Sequence, residues 1–139
     1  MTLVIDASMA LAWVFEREQT YDAERADRVL ASCGAEAWWA PTLWHLEIAN
    51  ALVVAERRGV ISSATSDGFL DRLRSLPIQC DLQPVAERQH RVIDLARNHG
   101  LSSYDASYLE LAIRLDASLA SFDRKLNQAA LERGVVLVG

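Results

Sequence analysis

Residues 1–15 read MTLVIDASMALAWVF, and the five residues VIDAS at 4–8 decide the fold. Leu3, Val4 and Ile5 are apolar and largely β-branched, the composition of a parallel strand covered on both faces. A carboxylate, Asp6, follows at once. Small Ala7 and Ser8 then lead into the apolar, helical-looking run Met9 to Phe15. A strand passing straight into a helix is the opening of a βαβ unit. Two explanations stand for the acid at that junction. Asp6 caps the following helix by accepting hydrogen bonds from its free N–H groups, or it ends the strand in order to do chemistry.

The same junction returns near the other end, where ASLASF at 117–122 reads as a short strand, Asp123 follows it, and Arg124 to Arg133 reads as a helix. VVLV at 135–138 reads as a final strand. Between the two junctions, helical spacing covers Tyr21 to Cys33 and stops at Gly34, and Ala37 to Ala40 is a short apolar strand before Pro41. Leu43 to Arg58 is a helix stopped by Gly59, and Ser62 to Ser75 another, weakened by Gly68. Ile78 to Leu82 reads as a strand, Pro84 opens a helix that runs to His99 and closes at Gly100, and Ser103 to Leu115 is helical. Strands alternating with helices of this length imply right-handed crossovers. The expected fold is a three-layer α/β/α sandwich with a short, mainly parallel sheet of four or five strands. No repeat or linker divides the chain, so residues 1–139 are read as a single domain.

Composition narrows the function. A formal charge of −5 excludes a bulk electrostatic grip on nucleic acid, but not an enzyme that acts on it. The apolar start lacks a basic leading segment and carries Asp6, so it is read as neither signal peptide nor membrane span, and a soluble cytoplasmic protein is expected. Cys33 and Cys80 have no metal-binding spacing and are read as reduced thiols. Thirteen arginines stand beside a single lysine, Lys125; arginine suits phosphate contacts, but coding bias is the preferred explanation.

The unexplained residues are acids. In a parallel sheet, function gathers outside the carboxyl ends of the strands, where Asp6 and Asp123 both fall. Glu47 sits in LWHLEIANAL among apolar neighbours, with Asn50 one turn on. Asp105 sits in SSYDASYLEL, in the first turn of its helix. Singly, each has an ordinary explanation: a helix cap for Asp123, a favourable dipole contact for Asp105, an arginine partner for Glu47. Together, four convergent carboxylates repel one another unless a hard cation sits among them. Oxygen ligands suit Mg²⁺ or Mn²⁺, and such a centre can activate water against a phosphodiester.

Other chemistries fit less well. A haloacid-dehalogenase-like phosphatase needs a second Asp where Ser8 stands, a receiver domain needs an acidic pair after its first strand, and a dinucleotide fold needs a glycine-rich first turn. Among the remaining residues, Trp13, Trp38, Trp39 and Trp44 are read as core or interface, Arg72, Arg74, Arg88 and Arg91 as solvated, Glu110 as a surface acid, and the histidines as structural or exposed.

The motifs VIDAS, LEIANAL, SSYDASYLELA and SFDRKL, in this order and covering essentially the whole chain, resemble those of PIN domains, and more closely of the VapC toxins of prokaryotic toxin–antitoxin pairs. The resemblance implies an acidic site of Asp6, Glu47, Asp105 and Asp123. Asp6 and Asp105 would be direct Mg²⁺ ligands, with Glu47 and Asp123 as further candidates. Ser8 and Ser121 match small hydroxyl positions and Asn50 a polar position beside the glutamate. It also implies a Mg²⁺-dependent endoribonuclease (Mn²⁺ a substitute) that cleaves RNA and arrests translation, a homodimer, and a VapB-type antitoxin. The rival from another class is a non-catalytic PIN-like binding module acting through protein contacts.

Overall fold

The computed structural model describes residues 1–139. Four strands, β1 (Thr2–Ile5), β2 (Ala37–Ala40), β3 (Ile78–Cys80) and β4 (Ser118–Ala120), pair in parallel in the order β3-β2-β1-β4. Seven helices connect and cover them: α1 (Ala7–Leu11), α2 (Thr20–Ala31), α3 (Leu43–Arg57), α4 (Ser63–Arg74), α5 (Val85–His99), α6 (Ser103–Arg114) and α7 (Arg124–Glu132). Leu3, Val4 and Ile5 are all fully buried. Successive strand residues face opposite sides, so helices must cover both faces of the sheet, as in the expected three-layer arrangement.

The helix limits follow local chemistry. Ser62 and Ser102 cap α4 and α6 by accepting from the N–H groups of Thr65 and Asp105. Gly100 ends α5 in the left-handed region at φ 64°, where a Cβ would be strained. Trp38 and Trp44 are buried, and Trp13 stacks on Trp38 with ring centroids 6.0 Å apart. No helix is long and apolar enough to cross a membrane. Cys33 and Cys80 are unpaired thiols.

Four sequence expectations change. The segment 135–138 is not a fifth strand: it meets β4 through one parallel bridge, Leu119 with Leu137, because β4 is only three residues long. The run Met9–Phe15 does not continue as a helix. α1 ends at Leu11 and the chain turns, which lets Trp13 reach Trp38 and donate its indole N–H to the Ala26 carbonyl at 2.9 Å.

Arg88 and Glu110 are not surface charges; each is only 2% exposed. They belong to a buried ion network at the end of β3. Arg114 donates from Nη2 to Asp81 Oδ2 at 2.6 Å and from Nε to Glu110 Oε1 at 2.9 Å. Arg88 Nε lies 3.8 Å from Asp81 Oδ2, and Arg91 reaches Glu110 at 3.6 Å. Burial pushes the Asp81 carboxyl up, but the Arg114 hydrogen bond and the nearby guanidinium charges outweigh it and hold the group below its ordinary value. Arg72 and Arg74 are exposed, as are His45 and His90, while His99 pairs with Glu132 at 2.9 Å.

Candidate active site

Asp6 occupies the N-cap position of α1 (φ −82°, ψ 150°), yet its side chain makes no capping bond. Its backbone N–H continues the sheet ladder to Ala120 O at 3.0 Å. Its carboxylate turns instead to two hydroxyls: Ser8 Oγ and Ser121 Oγ each donate to Asp6 Oδ2 at 2.6 Å. Those hydroxyls are themselves anchored, since the N–H of Phe122 donates to Ser8 Oγ and that of Asp123 to Ser121 Oγ, both at 2.9 Å. Pairing of β1 with β4 brings Ile5 opposite Ala120, and so joins two loops more than a hundred residues apart. The capping explanation of Asp6 therefore fails.

Asp123 is different, because it does cap. Its Oδ1 accepts from the Leu126 N–H at 2.8 Å at the start of α7. That engages one oxygen and leaves Oδ2 without a protein donor. Asp105 does not cap α6, for Ser102 already does. Glu47, half-buried on α3, accepts through Oε1 from the phenol of Tyr108 at 2.5 Å, its only hydrogen bond. Asn50 is exposed and bonds to none of these residues.

The four acids feel each other. Burial pushes the Asp6 carboxyl up, and the Asp123 charge adds to this against the two serine bonds. Glu47 is raised by burial and by the charges of Asp6 and Asp105. Asp105 is raised by burial, then by Asp123 and Asp6. No lysine, arginine or histidine forms an ion pair with them: the salt bridges of the molecule involve Asp22, Asp81, Glu110 and Glu132, none of these four. The result is a patch of unmatched negative charge beside the carboxyl ends of β1 and β4.

Such a donor set, oxygen only and mutually repelling, suits a hard cation. No three His, Cys, Asp or Glu side chains stand in the mutual geometry of a finished cation cage. This is compatible with Mg²⁺, which takes one or two carboxylates and keeps several waters. Beside the acids, Phe122 carries two guanidinium groups over its ring, Arg17 at 4.2 Å and Arg25 at 5.0 Å from the centroid. An apolar groove of about 500 Å³ runs elsewhere, between α3 and α4 along Trp44, Ile48, Leu70 and Leu73, and none of the four acids lines it.

The sequence does not single out Tyr108 as the partner of Glu47. Its signal was available: a residue with a polar tip, one turn after Asp105, on the buried face of α6.

A PIN-domain family model matches residues 3–132. The chain belongs to the PIN-domain family. Within it, the chain is 31% identical over 126 residues to Ribonuclease VapC3 of Pyrobaculum aerophilum, covering 91% of this chain and 92% of that protein. This places it among the VapC relatives. Among solved structures, PAE2754 from Pyrobaculum aerophilum matches with a TM-score of 0.68 at 24% identity, over 93% of this chain and 84% of that one. FitAcB from Neisseria gonorrhoeae matches with a TM-score of 0.66 at 16% identity, over 99% and 96%. At these identities the two structures speak for the PIN fold alone.

Proposed function

We propose that this PIN domain is a Mg²⁺-dependent endoribonuclease, with Mn²⁺ able to substitute, and the toxin of a type II toxin–antitoxin pair. Its substrate is RNA, its product a hydrolysed phosphodiester, and its consequence the inhibition of translation. A VapB-type antitoxin restrains it, and the working form is a homodimer in the cytoplasm. The observation that carries the reading is the gathering of Asp6, Glu47, Asp105 and Asp123 without one basic partner. Likeness to a protein named a ribonuclease supports the choice of substrate.

Asp6 and Asp105 are the residues that hold the cation. When bound, Mg²⁺ supplies the positive charge that offsets the carboxylates and lets a phosphodiester approach them. Ser8 and Ser121 fix the Asp6 carboxylate by two hydroxyl bonds, so its orientation is set before any ligand arrives. Glu47 and Asp123 complete the rim and orient water through the oxygens that Tyr108 and α7 leave free. Asn50 is exposed on the same helix as Glu47 and is free to meet substrate.

The test is the Asp6→Asn variant. Its amide oxygen can still accept from both serines, so the fold is retained, but a neutral amide is a poor ligand for a hard cation. Mg²⁺-dependent cleavage of pooled RNA by the purified protein should collapse, and expression of the variant should no longer slow growth. No cleavage by the wild type with Mg²⁺, together with equal growth of cells that express either form, would overturn the nuclease reading and favour a binding module.

A further inference from the structure

Two guanidinium groups stand beside the acids, and their bonds set them apart. Both lie over the ring of Phe122, whose chain neighbours Ser121 and Asp123 belong to the acid site and whose own N–H donates to Ser8 Oγ. Arg25, on α2, is committed to the fold: its Nη2 donates to the Val138 carbonyl at 3.1 Å, and its Nε is buried. Arg17, on the segment between α1 and α2, is not. Its guanidinium sits 4.2 Å from the ring centroid, within the range of a cation–π contact, and its side chain is 34% exposed. One of its N–H groups reaches Asp22 at 3.2 Å, and the rest of its donor fork has no partner in the protein. An exposed pair of this kind contributes little and yields to a better acceptor.

We infer that Arg17 is a substrate-binding residue that takes a phosphate of the RNA flanking the scissile one, with the Phe122 ring as the platform that holds its guanidinium. The inference rests on the nuclease reading proposed above. Its physical basis is charge. One divalent cation offsets two of the four carboxylate charges, so the loaded site still repels a polyanion. A cation belonging to the protein itself, beside the acids, relieves that repulsion. Arg114, Arg88 and Arg91 are spent on Asp81 and Glu110, and Arg25 on the carbonyl of Val138. Arg17 keeps its fork open to solvent next to the loop that carries Ser121 and Asp123, and a planar guanidinium matches a phosphate through paired N–H bonds. Asp22 holds one corner of that fork in the free protein, and the phosphate takes its place.

The experiment measures Mg²⁺-dependent cleavage of a labelled pool of single-stranded RNA by wild type, Arg17→Gln, Asp22→Asn, the double variant and Arg97→Gln, an exposed arginine on α5, with the melting temperature of each. Arg17→Gln should raise KM about tenfold, the scale of one charged hydrogen bond, and leave kcat unchanged, as expected when binding is lost equally from ground and transition states. The slope of log KM against log salt should fall by about 0.7, the share of one single-strand phosphate. Asp22→Asn should act in the opposite direction and lower KM, because it releases the fork. In the double variant that gain should vanish, since no guanidinium is left to release. Arg97→Gln should match wild type. An unchanged KM in Arg17→Gln, or an equal rise in Arg97→Gln, overturns the inference and leaves the nuclease standing. So does a loss of activity in Arg17→Gln that follows a lowered melting temperature, because the residue then serves the fold, and so does an Asp22→Asn gain that persists in the double variant. If the wild type cleaves no RNA with Mg²⁺, the nuclease reading is refuted, and this inference with it.

Discussion

Asp123 is the acid for which the ordinary and the functional explanation are both true, and two substitutions separate them. Its Oδ1 caps α7 through the Leu126 N–H at 2.8 Å, while its charge raises both Asp6 and Asp105. Asp123→Asn keeps the cap, because Asn and Asp serve almost equally there, and removes the charge. Asp123→Ala removes both. The two variants therefore share the electrostatic relief and differ only in the cap, worth about 1 kcal/mol. Unfolding entropy of roughly 2.1 cal/mol/K per residue over 139 residues makes 1 kcal/mol equivalent to about 3–4 °C. In the absence of divalent ions, Asp123→Asn should melt at or slightly above wild type, and Asp123→Ala about 3–4 °C below Asp123→Asn. RNA cleavage with Mg²⁺ should be lost in both. Calorimetry and a cleavage assay on the same samples decide it. Full activity in Asp123→Asn would reduce the residue to a cap, and equal melting of the two variants would remove the capping argument.

Two further outcomes are expected. Glu110→Gln keeps an acceptor for Arg114 but loses the charge facing Arg114 and Arg91; since Arg114 retains Asp81, the cost should be about 1–2 kcal/mol. Its melting temperature should drop by roughly 3–7 °C with cleavage per folded molecule unchanged at low temperature, and loss of cleavage at full folding would move Glu110 into the site. The raised carboxyls of Asp6, Glu47 and Asp105 bind more protons folded than unfolded, so the stability they contribute is complete below their ordinary values and is lost as pH rises through the raised ones. In a chelator, melting should accordingly be higher at about pH 5 than at about pH 7.5, and saturating Mg²⁺ should shrink or reverse that difference. Asp81, held low by its arginines, acts in the opposite sense, but only below the ordinary carboxylate range. A chelated protein that melts higher at neutral pH would contradict the repulsion among the three acids.

Much of this was legible in the chain because the signals were local. β1 announces itself by a run of apolar β-branched residues, α5 by Pro84 and Gly100, and the two strand-to-helix acids by their repetition at Asp6 and Asp123. What stayed hidden depends on contacts between distant segments. Nothing in VAERQHRVIDL shows that Arg88 will be enclosed, since its nearest acid, Asp81, lies on the preceding loop and is shared with Arg114, 33 residues further on. Glu110 was misjudged for the same reason, as its spacing from Asp105 says where it is not but leaves open what covers it. The short last segment reads as a strand by composition, but pairing requires a neighbour of matching length, and β4 offers a single residue in register.

The contrast between Asp6 and Asp81 bears most directly on function. Each is buried, each follows the last residue of a parallel strand, and each donates its backbone N–H to a neighbouring strand-end carbonyl, Ala120 and Ala40 respectively. From equal positions they come to opposite electrostatics. Asp81 meets the guanidinium groups of Arg114 and Arg88, and its carboxyl is pulled down. Asp6 meets two neutral hydroxyls and three more acids nearby, and its carboxyl is pushed up. Burying charge without a counter-charge is costly, and this fold shows at Asp81 that it can supply arginines at a strand end. Thirteen arginines were available, and two of them, Arg17 and Arg25, come as near as the Phe122 ring without pairing with any of the four acids. A fold that neutralises one strand-end acid internally and leaves the other group unneutralised supports the proposed function, in which a charge comes from outside, first a cation and then, through it, the backbone of a nucleic acid.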